Sequence, residues 1–227
     1  MKGIFITLEG IEGSGKSTQI RHVYDFLKQA GLRCVITREP GGTIIGRKIR
    51  SILLDPDSIH IDPVAELLLY ASDRAQHIRE IILPLIQAGE VVICDRYFDA
   101  TLAYQGFARG LDMGFIHELH RLACRNLMPD LTILLDLPPD TGLARAWKQL
   151  ETGYRPGNES RFERETFTFH ERVRAGYLEL AGAEPNRFRI VDASPNERQV
   201  QEQIIEVLKA TPRLFSDAFL QKIRENA

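Results

Sequence analysis

The sequence is poor in cysteine and close to electrical neutrality, and both shortages limit the functions it can have. Its three cysteines, Cys34, Cys94 and Cys124, are far apart in 227 residues and match no metal-ligand spacing. An odd number at such distances predicts reduced thiols in the core rather than a disulfide framework. A formal net charge of −2 provides no electrostatic attraction for a nucleic acid polymer, so we expect no such partner.

Long apolar runs are also absent from the sequence. No stretch approaches the roughly 20 residues that cross a bilayer, and the first apolar run is too short for a signal peptide. The composition, 44% hydrophobic and 26% charged, is that of an ordinary globular protein. We therefore expect a cytoplasmic enzyme without membrane partners, folded as a single domain over residues 1–210. Residues 211–227 are predicted to add a short helix with no assigned role.

Short apolar runs alternate with helical patterns along the chain. Five runs are continuous and have the length of a buried strand: residues 4–8, 33–37, 91–94, 131–135 and 188–191. Helical spacing occupies residues 18–27 and 62–88, and a last helix is predicted to begin with Ser194 as its N-cap. Pro84 is expected to kink the long helix, which should end at Gly89. Continuous apolar strands separated by helices predict an α/β protein with a five-stranded parallel sheet flanked by helices.

The first strand leads into a glycine-rich turn, Gly10-Ile-Glu-Gly-Ser-Gly-Lys-Ser17, which fits the phosphate-loop pattern G-x-x-x-x-G-K-[ST]. Glycines with positive φ let successive N–H groups converge on phosphate oxygens, and the following helix adds its own free N–H groups. The lysine of such a loop reaches the β- and γ-phosphates, and its last serine ligates Mg²⁺. The predicted nucleotide-binding residues are Gly10, Glu12, Gly13, Ser14, Gly15, Lys16, Ser17 and Thr18. An accidental match is the alternative, which the strand before the turn and the helix after it disfavour.

An aspartate ends the third strand, and an arginine follows it directly. At the carboxyl edge of a parallel sheet, Asp95 should lie beside the phosphate loop and orient Mg²⁺ or its waters. Arg96 adds a bidentate phosphate donor. Considered alone, Asp95 fits a strand-end turn residue equally well. No N-K-x-D sequence for reading guanine occurs, which disfavours a GTPase switch.

A second group of phosphate-seeking and base-seeking residues lies between strands two and three. Glu39 ends strand two, and Arg50 follows within a basic stretch, as expected of an acceptor pocket. A solvated basic face explains such a stretch about as often. Tyr70 and Arg74 share one helical face, where a ring and a guanidinium can stack on a base and donate to its edge. The alternative assigns Tyr70 to the core and Arg74 to the surface.

Residues 151–160 are polar and contain glycine and proline, as expected of a lid that closes over a nucleotide. Ser160 is followed three residues later by glutamate, a capping-box pattern that predicts a helix start. A cation in a first helical turn is disfavoured, so Arg161 implies an anionic partner there, such as a transferring phosphoryl group. We predict Arg161 as the principal catalytic cation and Arg155 as the second. Ion pairs with neighbouring glutamates on a solvated surface are the alternative.

Together these motifs resemble thymidylate kinase of the bacterial type that carries arginines in its lid. The matching pieces are GIEGSGKST, TREPGG at 37–42, YASDRAQH at 70–77, DRYFDATLAYQGFARG at 95–110 and SRFERETFTFHERV at 160–173. The phosphate loop alone fits a large superfamily, whereas TREPGG with DRY-x-D-x-x-x-AYQG, in this order, is close to diagnostic. The similarity extends from residue 1 to about residue 209.

The resemblance implies the P-loop nucleoside monophosphate kinase fold, a homodimer, and transfer of the γ-phosphoryl group of ATP to dTMP with Mg²⁺. It assigns the acceptor to Glu12, Glu39, Arg50, Tyr70, Arg74, Arg96, Thr101, Tyr104 and Gln105. It assigns catalysis to Lys16, Asp95, Arg96, Arg155 and Arg161, the metal to Ser17 and Asp95, and the adenine side to Arg145 and Asp192. A kinase for another nucleoside monophosphate and a non-catalytic nucleotide-binding protein of the same superfamily are the alternatives.

Within the implied acceptor site, each side chain has its own role. Tyr70 stacks on thymine, Arg74 and Gln105 hydrogen-bond the edge of the base, and the other two arginines of the set hold the acceptor phosphate. Tyr104 lies against the 2′ position of the sugar and excludes a ribose hydroxyl. The sequence departs from the family pattern where Tyr70 replaces the usual phenylalanine and Ser160 the usual aspartate.

Overall fold

The computed structural model describes residues 3–153 and 157–215, and its centre is a sheet of five parallel strands. The strands are β1 (Ile4–Glu9), β2 (Cys34–Arg38), β3 (Val91–Asp95), β4 (Leu131–Asp136) and β5 (Phe188–Asp192). They lie in the order β2-β3-β1-β4-β5. The predicted α/β class and the five-stranded parallel sheet are therefore confirmed.

Helices connect the strands on both faces of the sheet. They are α1 (Lys16–Gln29), α2 (Ile44–Leu54), α3 (Pro63–His77), α4 (Leu83–Gln87), α5 (Phe98–Thr101), α6 (Met113–Cys124), α7 (Pro139–Glu151), α8 (Phe167–Ala183) and α9 (Glu197–Lys209). Wide π-helical turns occupy Ile78–Ile82 and Leu102–Ala108, and tight 3₁₀ turns occupy Gly157–Glu159 and Phe162–Arg164. None of the helices in the described ranges is long and apolar enough to cross a membrane.

The central strands are buried on both faces, as their continuous apolar runs require. In β1, Ile4, Ile6 and Leu8 enter one apolar cluster, which also contains residues of α1, α8 and α9. Phe5 points the other way into a second cluster with residues of α3, α4 and α6. Successive side chains of a strand point to opposite faces, so one short run supplies both layers of the core.

Three strand ends meet at one edge of the sheet and so position the candidate site. The parallel register pairs both Leu8 of β1 and Arg38 of β2 with Asp95 of β3. From these ends the chain enters the loop before α1, the turn before α2, and Arg96. Open parallel sheets bind their ligands at this carboxyl edge. The fold therefore brings together motifs that are far apart in the sequence.

The predicted long helix has the expected extent, but a π-helical turn interrupts it. It begins at Pro63, where the Asp62 side chain accepts hydrogen bonds from two backbone N–H groups of the first turn. A π-helical turn comes just before Pro84, in place of a simple proline kink. The helix ends before Gly89, whose φ of 78° is the left-handed conformation expected after a helix.

Two predicted helix caps are wrong. Asn196, not Ser194, caps α9, because its side chain accepts a hydrogen bond from the Gln199 N–H at 3.0 Å. Ser160 does not cap a helix either, since its hydroxyl donates to the Gly157 carbonyl at 2.8 Å and is used in the preceding turn. Helix α8 begins seven residues later, with Thr166 as its N-cap.

The described part of the C-terminal extension packs on the core without forming the expected helix. Residues 211–215 form turns, and Leu214 and Phe215 are buried there. The ring of Phe215 meets Phe26 of α1 edge to face at 5.8 Å between centroids. Arg213 forms an ion pair with Asp130, at the loop before β4. The rest of the segment predicted to be helical, residues 216–227, lies outside the described residues.

Two of the three cysteine thiols and one histidine are buried in the core. Cys94 and Cys124 are buried and Cys34 is half-buried, and all three are free, as predicted. His120 is buried as well and stacks on Phe98 at 3.7 Å between ring centroids. Burial, with nearby positive charge, lowers the pKa of His120 to about 3, so the ring is a neutral part of the core.

Candidate active site

One cavity at the carboxyl edge of the sheet collects most of the predicted site residues. It is lined by Glu12, Gly13, Gly15, Lys16, Ser17, Thr18, Glu39, Arg50, Tyr70, Arg74, Asp95, Arg96, Thr101, Tyr104 and Gln105. Leu54, Phe162 and Glu163 also line it, although sequence reasoning gave them no role. Arg145, Asp192 and Arg161 do not line it, and Arg155 lies outside the described residues.

The phosphate loop has the backbone shape that its glycines predict. Gly13 has a φ of 69°, and a Cβ there would lie 2.0 Å from the carbonyl oxygen of Gly142 in α7. Gly15 has a φ of 91° and immediately precedes α1, so the N-terminus of that helix opens onto the cavity. Anions bind such helix starts through free N–H groups and the helix dipole.

Lys16 lies within the loop, and only 8% of it is exposed. Its amine donates hydrogen bonds to the carbonyls of Gly10 and Ile11 at 2.9 and 2.7 Å, and to the Ser14 hydroxyl at 3.2 Å. Burial and then the charge of Arg96 lower the pKa of Lys16 to about 7. The loop thus holds a cation whose charge is incompletely compensated, as expected where phosphates bind.

Ser17 and Asp95 provide the donor set for a hard divalent cation. The Ser17 hydroxyl lies 3.4 Å from Oδ2 of Asp95, while the buried Oδ1 has no hydrogen-bond partner among the residues described. Mg²⁺ uses one or two protein oxygens and completes its octahedron with phosphate oxygens and water. No cluster of three or more histidine, cysteine or acidic residues that could hold a metal occurs in residues 3–153 and 157–215. The residues therefore fit a metal that arrives with a nucleotide.

Glu12, in the middle of the phosphate loop, joins the donor and acceptor sides. Its Oε1 accepts hydrogen bonds from Arg96 at 2.8 Å and from the Tyr104 hydroxyl at 2.6 Å. Its Oε2 lies 3.3 Å from Nδ1 of His170. Burial alone would raise the pKa of Glu12, but Arg96 and His170 hold it well below the usual range. His170 gave no signal in the sequence because a lone histidine on a helix is usually structural.

Arg96 has a strained backbone, and its guanidinium hydrogen-bonds other residues of the site. Its φ of 66° is in the left-handed region, which for a residue with a side chain costs about 1–3 kcal/mol. It donates to Tyr177 at 3.2 Å as well as to Glu12, and it lies over the Tyr104 ring at 4.9 Å. Such strain persists where the surroundings determine the conformation, as in functional sites.

Glu9 shares the Tyr177 hydroxyl with this arginine, and the sequence did not predict its role. Its carboxylate accepts hydrogen bonds from the Tyr97 N–H at 2.7 Å and from the Tyr177 hydroxyl at 2.8 Å. Burial, and then repulsion from Asp99, raise the pKa of Glu9 to about 7. A polar residue at the last position of a buried strand is the only sequence signal it gives.

Arg74 is buried in a network rather than exposed on the surface. It donates to Glu39 at 2.7 Å, to the Thr101 hydroxyl at 2.9 Å and to the Tyr97 carbonyl at 3.1 Å. His77 donates to the other oxygen of Glu39 at 2.8 Å. Each of these side chains is buried, so the alternative that makes Arg74 a surface cation is excluded.

The other acceptor-side cation, Arg50, is already paired. It donates to both carboxylate oxygens of Glu159, at 2.9 and 2.7 Å, and to the Pro40 carbonyl at 3.0 Å. Glu159 belongs to the end of the predicted lid. A guanidinium paired in this bidentate way presents the geometry that also suits a phosphate.

Arg161 does not line the cavity. It is buried, and its guanidinium forms an ion pair with Glu66 of α3 at 2.6 Å and donates to the Leu53 carbonyl at 2.5 Å. The ion-pair partner of Arg161 is thus distant in sequence. Arg161 itself precedes the 3₁₀ turn Phe162–Arg164 and does not lie in the first turn of an α-helix. The catalytic role of Arg161 stays a prediction.

The predicted adenine-side residues come together beyond the phosphate loop. Arg145 of α7 donates to the carbonyls of Ala193 and Ser194, each at 3.0 Å. Asp192 accepts a hydrogen bond from the Ser194 N–H at 2.9 Å, which lowers the pKa of this carboxyl. The arrangement holds a loop at the end of β5 in a fixed shape.

Comparisons with known proteins agree on one family. The family model described as thymidylate kinase matches residues 8–204. The thymidylate kinase of Desulfosudis oleivorans is 52% identical over 209 residues, which cover 92% of this chain and 98% of that protein. That of Desulforapulum autotrophicum is 56% identical over 202 residues, or 89% of each chain. The crystal structure of thymidylate kinase from Ehrlichia chaffeensis superposes with a TM-score of 0.72 at 30% identity, covering 92% of this chain and 100% of the other.

Proposed function

The chain belongs to the thymidylate kinase family, whose members phosphorylate dTMP to dTDP with ATP in dTTP synthesis, and from that premise we propose how its residues divide the reaction. The observation that carries the proposal is that a phosphate loop and a second set of cations and aromatic rings line one cavity. Two phosphorylated ligands can meet there with their phosphates adjacent. A single bound nucleotide would leave the second set without a ligand.

The donor side holds ATP. The loop amides and Lys16 bind its phosphates, and Ser17 and Asp95, whose Oδ1 has no hydrogen-bond partner among the described residues, would hold Mg²⁺. Bound there, Mg²⁺ would supply positive charge that offsets the charge of the transferring phosphates. Arg145 and Asp192 support the loop that contacts adenine. Phosphoryl transfer depends mainly on such alignment and charge neutralisation.

The acceptor side holds dTMP. Arg50 and Arg96 bind its phosphate, with Glu39 and Thr101 fixing the side chains around it. Tyr70 stacks on thymine, and Arg74 and Gln105 read its edge. Tyr104, held by Glu12 at 2.6 Å, occupies the place of a ribose hydroxyl. The list of acceptor residues is therefore Glu12, Glu39, Arg50, Tyr70, Arg74, Arg96, Thr101, Tyr104 and Gln105.

The acceptor phosphate oxygen is itself the nucleophile, so the reaction needs no strong general base. What it needs is positive charge at the transferring group. We assign that charge to Arg161 and Arg155 of the lid region, residues 151–160 and the turn after it. Arg161 would have to leave Glu66 when the lid closes. Arg161→Ala should therefore lower kcat far more than it weakens nucleotide binding measured without turnover, and unchanged kcat in both Arg155→Ala and Arg161→Ala would exclude the assignment.

The proposal includes a homodimer formed through α2, α3 and α6. Helix α3 packs between the other two. Their outer faces expose large apolar side chains, Ile52, Val64, Leu68, Phe115 and Leu122, each at least 41% exposed. Large apolar side chains exposed on helices that pack together favour a protein interface there. Light scattering should give a dimer mass for the wild-type chain and a monomer mass for Leu68→Glu.

The test of the function is a coupled ADP-release assay with Mg²⁺·ATP and a panel of nucleoside monophosphates. dTMP should be the best acceptor, dUMP weaker, and ribonucleotides poor. Loss of one methyl group in an apolar pocket reduces kcat/KM by about 10–200-fold. A better rate with AMP or CMP would favour the alternative of another monophosphate kinase. Because ATP and DNA precursors are cytoplasmic metabolites, we place the enzyme in the cytoplasm.

A further inference from the structure

Glu66 of α3 is a buried carboxylate at the centre of a charged cluster behind the acceptor side. Only 1% of its side chain is exposed. It pairs with Arg161 at 2.6 Å and with Arg109 at 3.3 Å, and Arg109 also pairs with Glu165 at 2.5 Å. Two arginines and two glutamates leave the cluster without net charge.

The fifth member of the cluster is Gln105, which also lines the cavity. Its amide nitrogen lies 2.7 Å from Oε1 of Glu66. A carboxylate held between two guanidinium groups accepts hydrogen bonds and donates none, so the atom facing it must be the NH₂ group. The orientation of an amide is otherwise ambiguous, but here the chemistry of Glu66 decides it.

This orientation leaves the side-chain amide oxygen of Gln105, Oε1, as the group available to a ligand. That oxygen accepts no hydrogen bond from the residues described. Arg74, in the same cavity, uses Nε and Nη2 for Glu39, Thr101 and Tyr97, and its Nη1 donates to none of the described residues. Arg74 and Gln105 both line the cavity, so it offers one donor and one acceptor to the same ligand.

We propose that Glu66 is a positioning residue that sets base specificity by fixing the amide of Gln105 with its oxygen toward the acceptor base; the inference rests on the proposed function. A pyrimidine with a C4 carbonyl and an N3–H, as in thymine and uracil, matches a donor at Arg74 and an acceptor at Gln105. Cytosine would place its amino donor against the donor of Arg74 and its N3 acceptor against the acceptor oxygen of Gln105, so neither hydrogen bond could form. Buried polar groups left without partners make such discrimination strong.

The test exchanges one atom. In Glu66→Gln, the residue-66 carbonyl should occupy the Oε2 position, which faces Arg161 at 2.6 Å, and its NH₂ should occupy the Oε1 position, which faces Gln105 at 2.7 Å, so that Gln105 reverses its own amide. The ratio of kcat/KM for dTMP to that for dCMP should fall at least tenfold. The ratio for dTMP to dUMP should not change, because both bases share the same edge. A general loosening of the pocket would move both ratios.

Glu165→Gln is the matched control. It makes the same isosteric exchange in the same cluster and removes the same charge, but Glu165 contacts Arg109 and not Gln105. Both ratios should keep their wild-type values in this variant. If Glu165→Gln lowers the dTMP-to-dCMP ratio as much as Glu66→Gln does, cluster charge and not amide orientation determines specificity, and the proposal fails.

Gln105→Leu is the second variant, and it tests the acceptor oxygen through which Glu66 acts, whether or not Glu66→Gln folds. It removes the acceptor oxygen without adding charge, so the dTMP-to-dCMP ratio should again fall at least tenfold. In the Gln105→Leu background, Glu66→Gln should produce no further fall. An unchanged ratio in either single variant overturns the positioning role while leaving dTMP phosphorylation intact. Absence of dTMP phosphorylation in the wild-type chain overturns the proposed function itself.

Discussion

The two sides of the cavity are built in different ways. The donor side comes from one continuous stretch, Gly10 to Thr18, whose groups are held by the backbone: Lys16 donates to two carbonyls of its own loop. The acceptor side comes from side chains on separate elements. Glu39 and Arg74 are 35 residues apart, and Glu66 and Gln105 are 39 apart, yet both pairs are in hydrogen-bonding contact.

This difference predicts different responses to mutation. When a side chain is removed from a site made by backbone geometry, the activity should fall but the free energy of unfolding should hardly change. A site made by buried ion pairs should lose stability when one partner is removed, because the other charge remains in the interior. The following changes test that distinction, beginning with the largest expected effect.

Glu39→Ala should lower the free energy of unfolding by about 3–5 kcal/mol. The carboxylate is the shared partner of Arg74, at 2.7 Å, and His77, at 2.8 Å, and both are almost completely buried. Urea unfolding followed by circular dichroism measures the effect. Ser17→Ala is the donor-side control and should change stability by no more than about 0.5 kcal/mol. A loss below 1 kcal/mol in Glu39→Ala would mean that the acceptor network relaxes around the missing charge.

Lys16→Ala should lower kcat by about 10²–10³-fold, the usual effect of removing one group that stabilises the transition state. Its effect on unfolding should stay below about 1 kcal/mol, because burial opposes the charged amine while its hydrogen bonds favour it. Steady-state kinetics and urea unfolding of the same preparation separate the two quantities. A variant that keeps near-normal turnover would contradict the role of the loop.

The same difference explains how much could be predicted from the sequence. The phosphate loop is a local pattern, and its strand, turn and helix follow from residues that are neighbours in the chain. The resemblance supplied Gln105 and Arg74, and both line the cavity. Their partners Glu66 and Glu39 could not be paired with them, because contact between distant side chains depends on how α3 packs on the sheet.

The two wrong helix caps have a related cause. Ser194 and Ser160 each stand in a correct local pattern for a cap, but a second candidate follows within a few residues. Asn196 and Thr166 cap the helices instead. Tertiary packing fixes where α8 and α9 can begin on the sheet, and local propensity only offers candidates. Arg161 illustrates the same limit, since its pairing with Glu66 links segments that no local pattern connects.

The affinity for Mg²⁺·ATP should depend on pH through Lys16. In the free protein its pKa is lowered to about 7 by burial and by Arg96. Phosphates stabilise the charged amine, so the pKa rises on binding, and the protonated form binds better. Affinity should therefore be constant well below pH 7 and fall toward tenfold per pH unit above it. Calorimetry at pH 8 in two buffers of different ionisation enthalpy should detect proton uptake, which Lys16→Met should abolish.

Glu159→Gln should produce the smallest effect, a fall in KM for the acceptor of about two- to fivefold, as for other partly exposed ion pairs. Glu159 holds Arg50 through two hydrogen bonds, and the acceptor phosphate needs the same guanidinium face. Binding of the acceptor phosphate then has to displace the Glu159 carboxylate from Arg50. A neutral amide at this position competes with the phosphate less well than the charged carboxylate does. Initial rates at saturating Mg²⁺·ATP measure the change, with kcat expected to stay the same.

The opposite result would change the comparison between the two sides. If Glu159→Gln raises the KM for the acceptor, the carboxylate and the phosphate bind Arg50 together, and the ion pair is part of the assembled site. Arg50 has a third hydrogen bond, to the Pro40 carbonyl at 3.0 Å, so removing Glu159 leaves the guanidinium anchored. A fall in KM therefore reports release of the cation from competition rather than a loss of its position. If the KM falls, the acceptor-side cation is held by a carboxylate that the ligand must displace, whereas the donor-side cation is held by groups of its own loop.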